Sequence, residues 1–341
     1  MALASTAIEA GTIFQIGKET TRGTAVAASN RLLLDKLDFD PSAKTHKPSP
    51  AVGTLVRQGP TSITRKLAAL RASGPLSFEQ ILYYFYMGVE GGVTPSGAGP
   101  YIYTFDPTEI ADPAPTTFTI ERRLSDMLAT PGYDDVEAEY CFCRSFSIKG
   151  AEGEESVWEL DADIVGRQVA TSTLTPAIAV PSVEEILVYK TSLYIDDTWA
   201  ALGGTQVSGQ LLDFSLTYNT GLKELFTPDG NLYFSRYTFA GGARDKGATL
   251  DLTLLVDTRM ATERTKAQAA ATRFVRLKAT GSTANREVTL DMAVQHENGD
   301  IAVVDAREGL HIVSMHLVPI YDATGAAHFK AVVKNNLATL P

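Results

Sequence analysis

Apolar and polar residues alternate with a period of two along most of this chain. In "LLDFSLTYN", Leu212, Phe214, Leu216 and Tyr218 fall on one side, and Asp213, Ser215, Thr217 and Asn219 on the other. "TLDLTLLVD" sets Leu250, Leu252, Leu254 and Val256 against Asp251, Thr253, Leu255 and Asp257. "EVTLDMAVQ" and "EESVWELDADIV" repeat the pattern, the latter setting Trp158, Leu160, Ala162 and Ile164 against Glu155, Val157, Glu159, Asp161 and Asp163. Such alternation predicts strands with one buried and one solvated face, as in antiparallel sheets. Helical signal is confined to two places. "SFEQILYYFYMG" predicts a helix near 76–88, with Ser77 as cap and Gly88 as stop, and "TERTKAQAAATRF" predicts another near 261–273 beginning at Thr262.

Glycine and proline clusters mark the turns, and one of them, Thr175 to Glu185, lies almost midway. It divides the chain into strand-rich halves, 1–178 and 186–341, joined by a linker at 175–185. Both halves predict two early strands, a longer one, a helix and four more strands. "RGTAVAASNRLLLDKLDF" is faintly echoed by "GGTQVSGQLLDFSL", and Gly23 and Gly204 stand at nearly the same spacing as Glu79 and Glu263. The order of elements points to a duplicated unit.

Composition narrows the function classes. The 341 residues are 44% hydrophobic and carry 40 acidic against 30 basic side chains, a net charge of −10. Basic stripes of the kind that grip phosphate are missing, which disfavours tight nucleic-acid binding. No apolar run is long enough for a membrane-spanning helix, and the N-terminus does not read as a secretory signal, so the expectation is a chain folded in a cytoplasm. Cys141 and Cys143, two apart on a strand, share a face in poor geometry for bridging each other and read as reduced structural thiols.

Candidate chemistry is thin. The five histidines form no ligand or catalytic grouping, and His311 and His316 are offset by an odd number on one strand. Asp38 and Asp40 have calcium-loop spacing, but Ala43 and Ser49 occupy the positions that need glycine and glutamate. "GVEGGVTPSGAGP" lacks the lysine and helix of a phosphate loop. The acidic runs read as solvated strand faces and turns. The expectation is a protein that is not an enzyme and needs no cofactor or metal.

With that chemistry set aside, "IFQIGKETTRGTAVAASNRLL", with its G-x-E-x-x-x-G-T-A-V-A stretch from Gly17 to Ala27, resembles the N-terminal region of major tail (tail tube) proteins of long-tailed bacteriophages. "YCFCRSFSIKGAEGEESVWELDADIVG" is similar to the family's hairpin with an acidic glycine turn, and "RFVRLKATG" and "HLVPIYDATGAAHFKAVVKNN" resemble its C-terminal part. The resemblance implies a mainly β fold of two tandem β-sandwich or barrel modules, each with one flanking α-helix. It implies rings stacked into a hollow tube in the virion tail, assembled in the host cytoplasm. Its partners would be other copies of the chain, the tape-measure protein, and terminator or baseplate proteins, with DNA passing through the lumen unbound and no membrane involved. Since each chain would supply two modules, three chains would close a pseudo-sixfold ring. The alternatives are another tail-associated β-protein, such as a terminator or baseplate hub component, or a soluble β-sandwich enzyme or carbohydrate-binding module.

Two residue sets follow from this reading. Glu155, Glu159, Asp161, Asp163, Asp251, Asp257, Glu287 and Asp291 are expected to line the lumen, where their charge would repel phosphate. The stretch Asp40 to Gln58 and its counterpart Thr220 to Lys246 are expected to be inter-subunit loops. From them, Pro41, Lys44, His46, Lys47, Pro48, Arg57, Phe226, Arg236, Tyr237 and Arg244 are the contact candidates.

Overall fold

A computed structural model describes residues 11–48, 53, 61–107, 114–124, 135–153, 156–239, 246–301, 303–307 and 309–340. The fold is mainly β. The first half contains β1 (Ile13–Lys18), β2 (Asn30–Leu32), β3 (Lys36–His46), β4 (Ser62–Pro75), α1 (Ile81–Gly88), β5 (Tyr101–Phe105), β6 (Phe118–Arg123), β7 (Asp135–Ala151), β8 (Glu159–Gly166) and β9 (Val169–Thr171). In the second half come β10 (Thr191–Asp196), β11 (Gln206–Val207), β12 (Leu211–Asn219), β13 (Leu222–Leu225), β14 (Arg236–Phe239) and β15 (Gly247–Leu255). These are followed by α2 (Arg259–Gln268), β16 (Arg273–Thr280), β17 (Glu287–His296), β18 (Val303–Arg307), β19 (Leu310–Pro319) and β20 (Phe329–Asn335).

All strand pairings are antiparallel. One run of paired strands is β3-β4-β8-β7-β12-β15-β19-β18, and β19 pairs in addition with the end of β17. A second run, β5-β20-β17-β16-β10-β11, is made of strands from the second half plus β5. A third, β2-β1-β6-β7-β9, uses the first part of β7. Strand β7 serves two runs because it kinks. Its register against β6 shifts between Ala138 and Cys141, where Tyr140 has φ 57°, a bulge that re-aims the strand.

The connectivity of the first half recurs in the second. The order β3-β4-β8-β7 is matched by β12-β15-β19-β18, a helix follows β4 as one follows β15, and β1 is flanked by β2 and β6 as β10 is by β11 and β16. The halves do not pack separately. One hydrophobic cluster takes in Leu70, Ile164 and Phe85 together with Leu250, Leu290 and Met315. The segment between the halves is fastened at both ends. Thr175 N–H donates to Glu121 (2.8 Å), Glu184 N–H donates to Glu79 (3.0 Å), and Arg286 joins Glu79 (2.7 Å) to Glu184 (3.1 Å).

Helix α1 reads "ILYYFYMG", apolar all round, and all eight residues are buried. Phe85 lies edge-on to Phe105 (centroids 5.3 Å) and close to Phe146 (5.8 Å), while Tyr83 meets Phe118 (5.8 Å). Because β5 pairs with β20, this aromatic cluster binds the halves together. Helix α2 is polar and buries only Met260, Glu263 and Ala267. Both helices are shorter than expected. Ser77 Oγ accepts from Gln80 N–H (3.1 Å) in a turn that precedes α1 instead of capping it. Thr262 lies inside α2, whose entry is held by Asp257 accepting from Arg259 N–H (2.9 Å).

Strand β17 departs from the alternation expected of it. Thr289, Asp291 and Ala293 are buried along with the apolar face. Arg276 lies on Asp291, and Ala293 N–H donates to His328 C=O (2.9 Å), so the side read as solvated is covered. The two cysteines match their reading: both are buried free thiols facing the main core, and burial pushes both thiols up. Trp158 is buried and donates to Thr191 Oγ1 (2.9 Å), and Trp199 packs edge-on against Phe274 (5.9 Å), so neither tryptophan forms an open aromatic platform.

Two outcomes follow. Phe85→Ala should cost about 3–5 kcal/mol in urea unfolding, since it opens a cavity where both halves meet. Asp135 is buried and takes two bonds from Arg123 (2.8 and 2.7 Å), which hold its carboxyl below the usual range. A carboxyl with a lowered folded-state pKa contributes stability above its unfolded pKa and loses it as pH falls through the folded value. Stability measured from pH 6 downward should therefore fall less steeply in Asp135→Asn than in the parent, and equal slopes would remove this pair from the acid response.

Candidate assembly surface

The first run of strands turns one face inward and one outward, and its register lays the outward side chains in rows. One row is Glu159, Lys149, Ser215, Asp251 and His316. The next is Ser73, Asp161, Ser147, Thr217 and Thr249. A third is Arg71, Asp163, Ser145 and Asn219. The rows cross from β8 and β7 of one half into β12 and β15 of the other without interruption. Short hydroxyl side chains dominate the middle, and acids stand beside bases. Asp163 lies 3.7 Å from Arg144, and His316 is held between Asp251 and Glu297, the latter at 3.1 Å.

Four of the expected lumen acids, Glu159, Asp161, Asp163 and Asp251, share this face. The others do not join them. Asp257 lies past the end of β15 and receives Gln210 Nε2 and Arg259 N–H. Glu287 and Asp291 belong to β17 in the second run of strands. Glu287 pairs with Lys278 (3.0 Å), and the buried Asp291 takes a bidentate pair from Arg276 (2.6 and 2.8 Å). The sequence pattern gave Asp291 an open strand face, but that face is covered there. Glu155 lies outside the described residues.

The two expected loops are also revised. Pro41, Lys44 and His46 lie within β3, which pairs with β4 as far as His46, with Lys47 and Pro48 just beyond. A proline can continue this strand because β3 is an edge, paired only with β4 among the described residues. Arg57 and Arg244 lie outside the described residues. The second stretch contains the β13–β14 hairpin. Tyr237 is not a free contact residue, because it packs with Tyr140, Phe142, Val165, Leu222 and Phe234 in a small core of its own. Phe226 lies under the Arg65 guanidinium (4.8 Å), and Arg236 is exposed.

The "GKETTRG" stretch contains a residue that sequence reasoning passed over. Glu19, 6% exposed, accepts from Gly23 N–H (2.7 Å), Thr117 Oγ1 (2.6 Å), Thr119 Oγ1 (3.2 Å) and Tyr140 N–H (2.6 Å). Four donors satisfy this buried carboxylate, so it acts as a clasp for the turn after β1. Gly23 has φ 72°, and the Arg167 guanidinium sits where a side chain would go, donating to Gly23 C=O (3.0 Å). The second half repeats the device. Asp196 at the end of β10 accepts from Gly203 N–H (2.9 Å), Gly203 has φ 95°, and Arg276 lies over it. The glycine that meets this carboxylate is Gly203 and not Gly204, the one the sequence echo set beside Gly23. A carboxylate four residues before a glycine is the signal that could have found the first clasp, whereas Asp196 and Gly203 are spaced more widely.

Among the described residues no group of three or more histidine, cysteine, aspartate or glutamate side chains is arranged to hold a metal ion. What the surface offers is a polar sheet face bounded by strand edges. Strand β3 at one end pairs only with β4, and β18 at the other only with β19, among the described residues. No family model and no curated protein sequence matches the chain.

Gly23→Ala should lower unfolding stability by about 1–3 kcal/mol through a strained backbone and a displaced Arg167, and Gly203→Ala should behave alike. Parent-like denaturation midpoints for both would remove the clasp from the account.

Proposed function

We propose that this chain is a structural subunit that assembles through its strand edges into closed rings, and that the rings stack as the tail tube of a long-tailed bacteriophage. One observation carries the reading. Inside the chain, β7 pairs with β12, whereas β18 and β3, which hold the corresponding places in the repeated order, are each met by a single strand among the described residues. An unpaired strand edge is a template for another chain. A surface that joins unlike edges is heterologous and closes a ring when the rotation permits. If each chain contributes two modules of like connectivity, three chains give six, with the polar sheet face forming the inner wall.

The internal junction supplies the register for the junction between chains. Ala151 lies opposite Asp213, and Lys149 opposite Ser215. Through their pairings with β8 and β15, and with β19 and β4, these positions answer to Arg307, Lys36, Asp305 and Asp38. Lys36 of one chain would then stand opposite Arg307 of the next and Asp38 opposite Asp305, like charges face to face that the diagonal approach of Asp38 to Arg307 would have to offset.

A wall of this composition suits the passage of DNA. Lys149 is flanked by Glu159, and the neighbouring positions are serine and threonine, so no basic stripe is left to hold phosphate. In this reading the partners are further copies, a tape-measure protein within the tube, and terminator or baseplate proteins at its ends, and the site of action is the virion tail.

The register gives the test. A chain carrying Lys36→Cys and Arg307→Cys should cross-link under mild oxidation into a ladder that stops at three chains, while either single variant should give at most dimers. A double variant that assembles without forming the ladder would exclude this edge pairing.

A further inference from the structure

The turn that leads from β17 to β18 begins "HENGD", and Asn298 is the one asparagine of the chain that a glycine follows. Asparagine is thermolabile because the backbone nitrogen of the next residue can attack its side-chain amide carbon. The attack needs an amide without partners, a backbone nitrogen without an acceptor, and room for a ring to close. All three conditions are met here. Asn298 and Gly299 are exposed. Neither the Asn298 side chain nor Gly299 N–H enters a hydrogen bond among the described residues. Gly299 has φ 63°, and nothing lies within 4 Å of the place its Cβ would occupy.

The comparable positions are held. Asn30 donates to the Tyr83 hydroxyl (2.8 Å) and accepts from Arg31 N–H (2.9 Å). Asn219 accepts from Gly221 N–H (3.1 Å), and Asn335 accepts from Leu337 N–H (3.0 Å). Asp229, which also precedes a glycine, accepts from Asn231 N–H (3.0 Å) and the Thr227 hydroxyl (3.1 Å). These bonds hold its carboxyl below the usual range, in the ionised form that resists nucleophilic attack.

We propose that Asn298 is a site of spontaneous covalent modification. Gly299 N forms a bond to Asn298 Cγ and gives up its proton, the Cγ–Nδ2 bond breaks, and the departing nitrogen takes up a proton and leaves as ammonia. Water then opens the cyclic imide at either carbonyl, leaving aspartate or isoaspartate at position 298. The sum is amide plus water giving carboxylate plus ammonium, with no oxidant or reductant. The new charge arises in an acidic place, because Asn298 lines an open cleft with Asp251, Asp300 and His316. Asp300 is tied to Arg264 of α2 (2.7 and 3.0 Å), and a carboxylate at 298 competes for that cation. Isoaspartate also lengthens the main chain of the turn into β18. The chemistry does not rest on the tube reading, and its failure would leave that reading untouched.

The experiment incubates the folded full chain in mildly alkaline buffer and follows every asparagine by peptide mass spectrometry. The peptide that contains residue 298 should gain the mass difference between an amide and a carboxylic acid before any other asparagine peptide does. The intact chain should move by one negative charge on isoelectric focusing, to the position of Asn298→Asp. Gly299→Ala should lose most of the conversion, since a side chain there crowds the ring. Asn298→Gln, which leaves the glycine backbone alone, should show no shift over the same period. Equal conversion in Gly299→Ala and the parent, or conversion of Asn298 no faster than that of the other asparagines, would overturn the proposal. So would conversion in urea with none in the folded chain, because the fold would then hold the turn shut.

Discussion

The antiparallel pairing of β7 with β12 is the constraint on which the rest of the structure depends. Seven residue pairs, from Asp213 with Ala151 to Asn219 with Ser145, join a strand of one half to a strand of the other. Backbone donors and acceptors at a sheet edge must find water or another strand. At this junction they find each other, and the outward rows and the inward core then continue through it. Among the described residues β3 and β18 are each met by one strand alone, and that asymmetry turns a repeated topology into an argument about assembly.

Burial follows from the junction. Once β7 and β12 are adjacent, the space beneath them must be filled from both halves, and α1 fills it. A helix with five apolar or aromatic residues in sequence, Ile81 to Phe85, has no side to offer water, so it can exist only where strands cover it on all sides. Phe85, Phe105 and Phe146 meet there. Helix α2 occupies the corresponding place in the chain order but sits at the periphery, and its polar sequence agrees with that.

Much of the fold was legible in the sequence. Strict alternation located β8, β12, β15 and β17, and the order of elements suggested the repeat. What remained hidden depends on distant partners. Asp291 looks like a surface acid until Arg276 and the covered face of β17 are known. Asp40 and Pro41 look like the start of a loop until β3 is seen to be an edge strand, which needs no donor at the proline. The rows of the sheet face could not be read at all, because Lys149, Ser215 and Asp251 become neighbours only through register. Glu19 was hidden in a different way: its chemistry is ordinary, and only its four donors mark it as a clasp.

The repeated clasp, Glu19 with Gly23 and Asp196 with Gly203, ties sequence to architecture most closely, because each fixes the turn that follows the first strand of its half. From there the central claim is short: the pairing that joins the halves is reused to join chains. The most direct measurement is a three-dimensional reconstruction of the assembled particle by electron cryomicroscopy. The account predicts a ring of three chains in which one sheet runs uninterrupted around the inner wall, with β18 of each chain paired to β3 of the next. A ring of six chains, or junctions at which β3 and β18 stay unpaired, would contradict it.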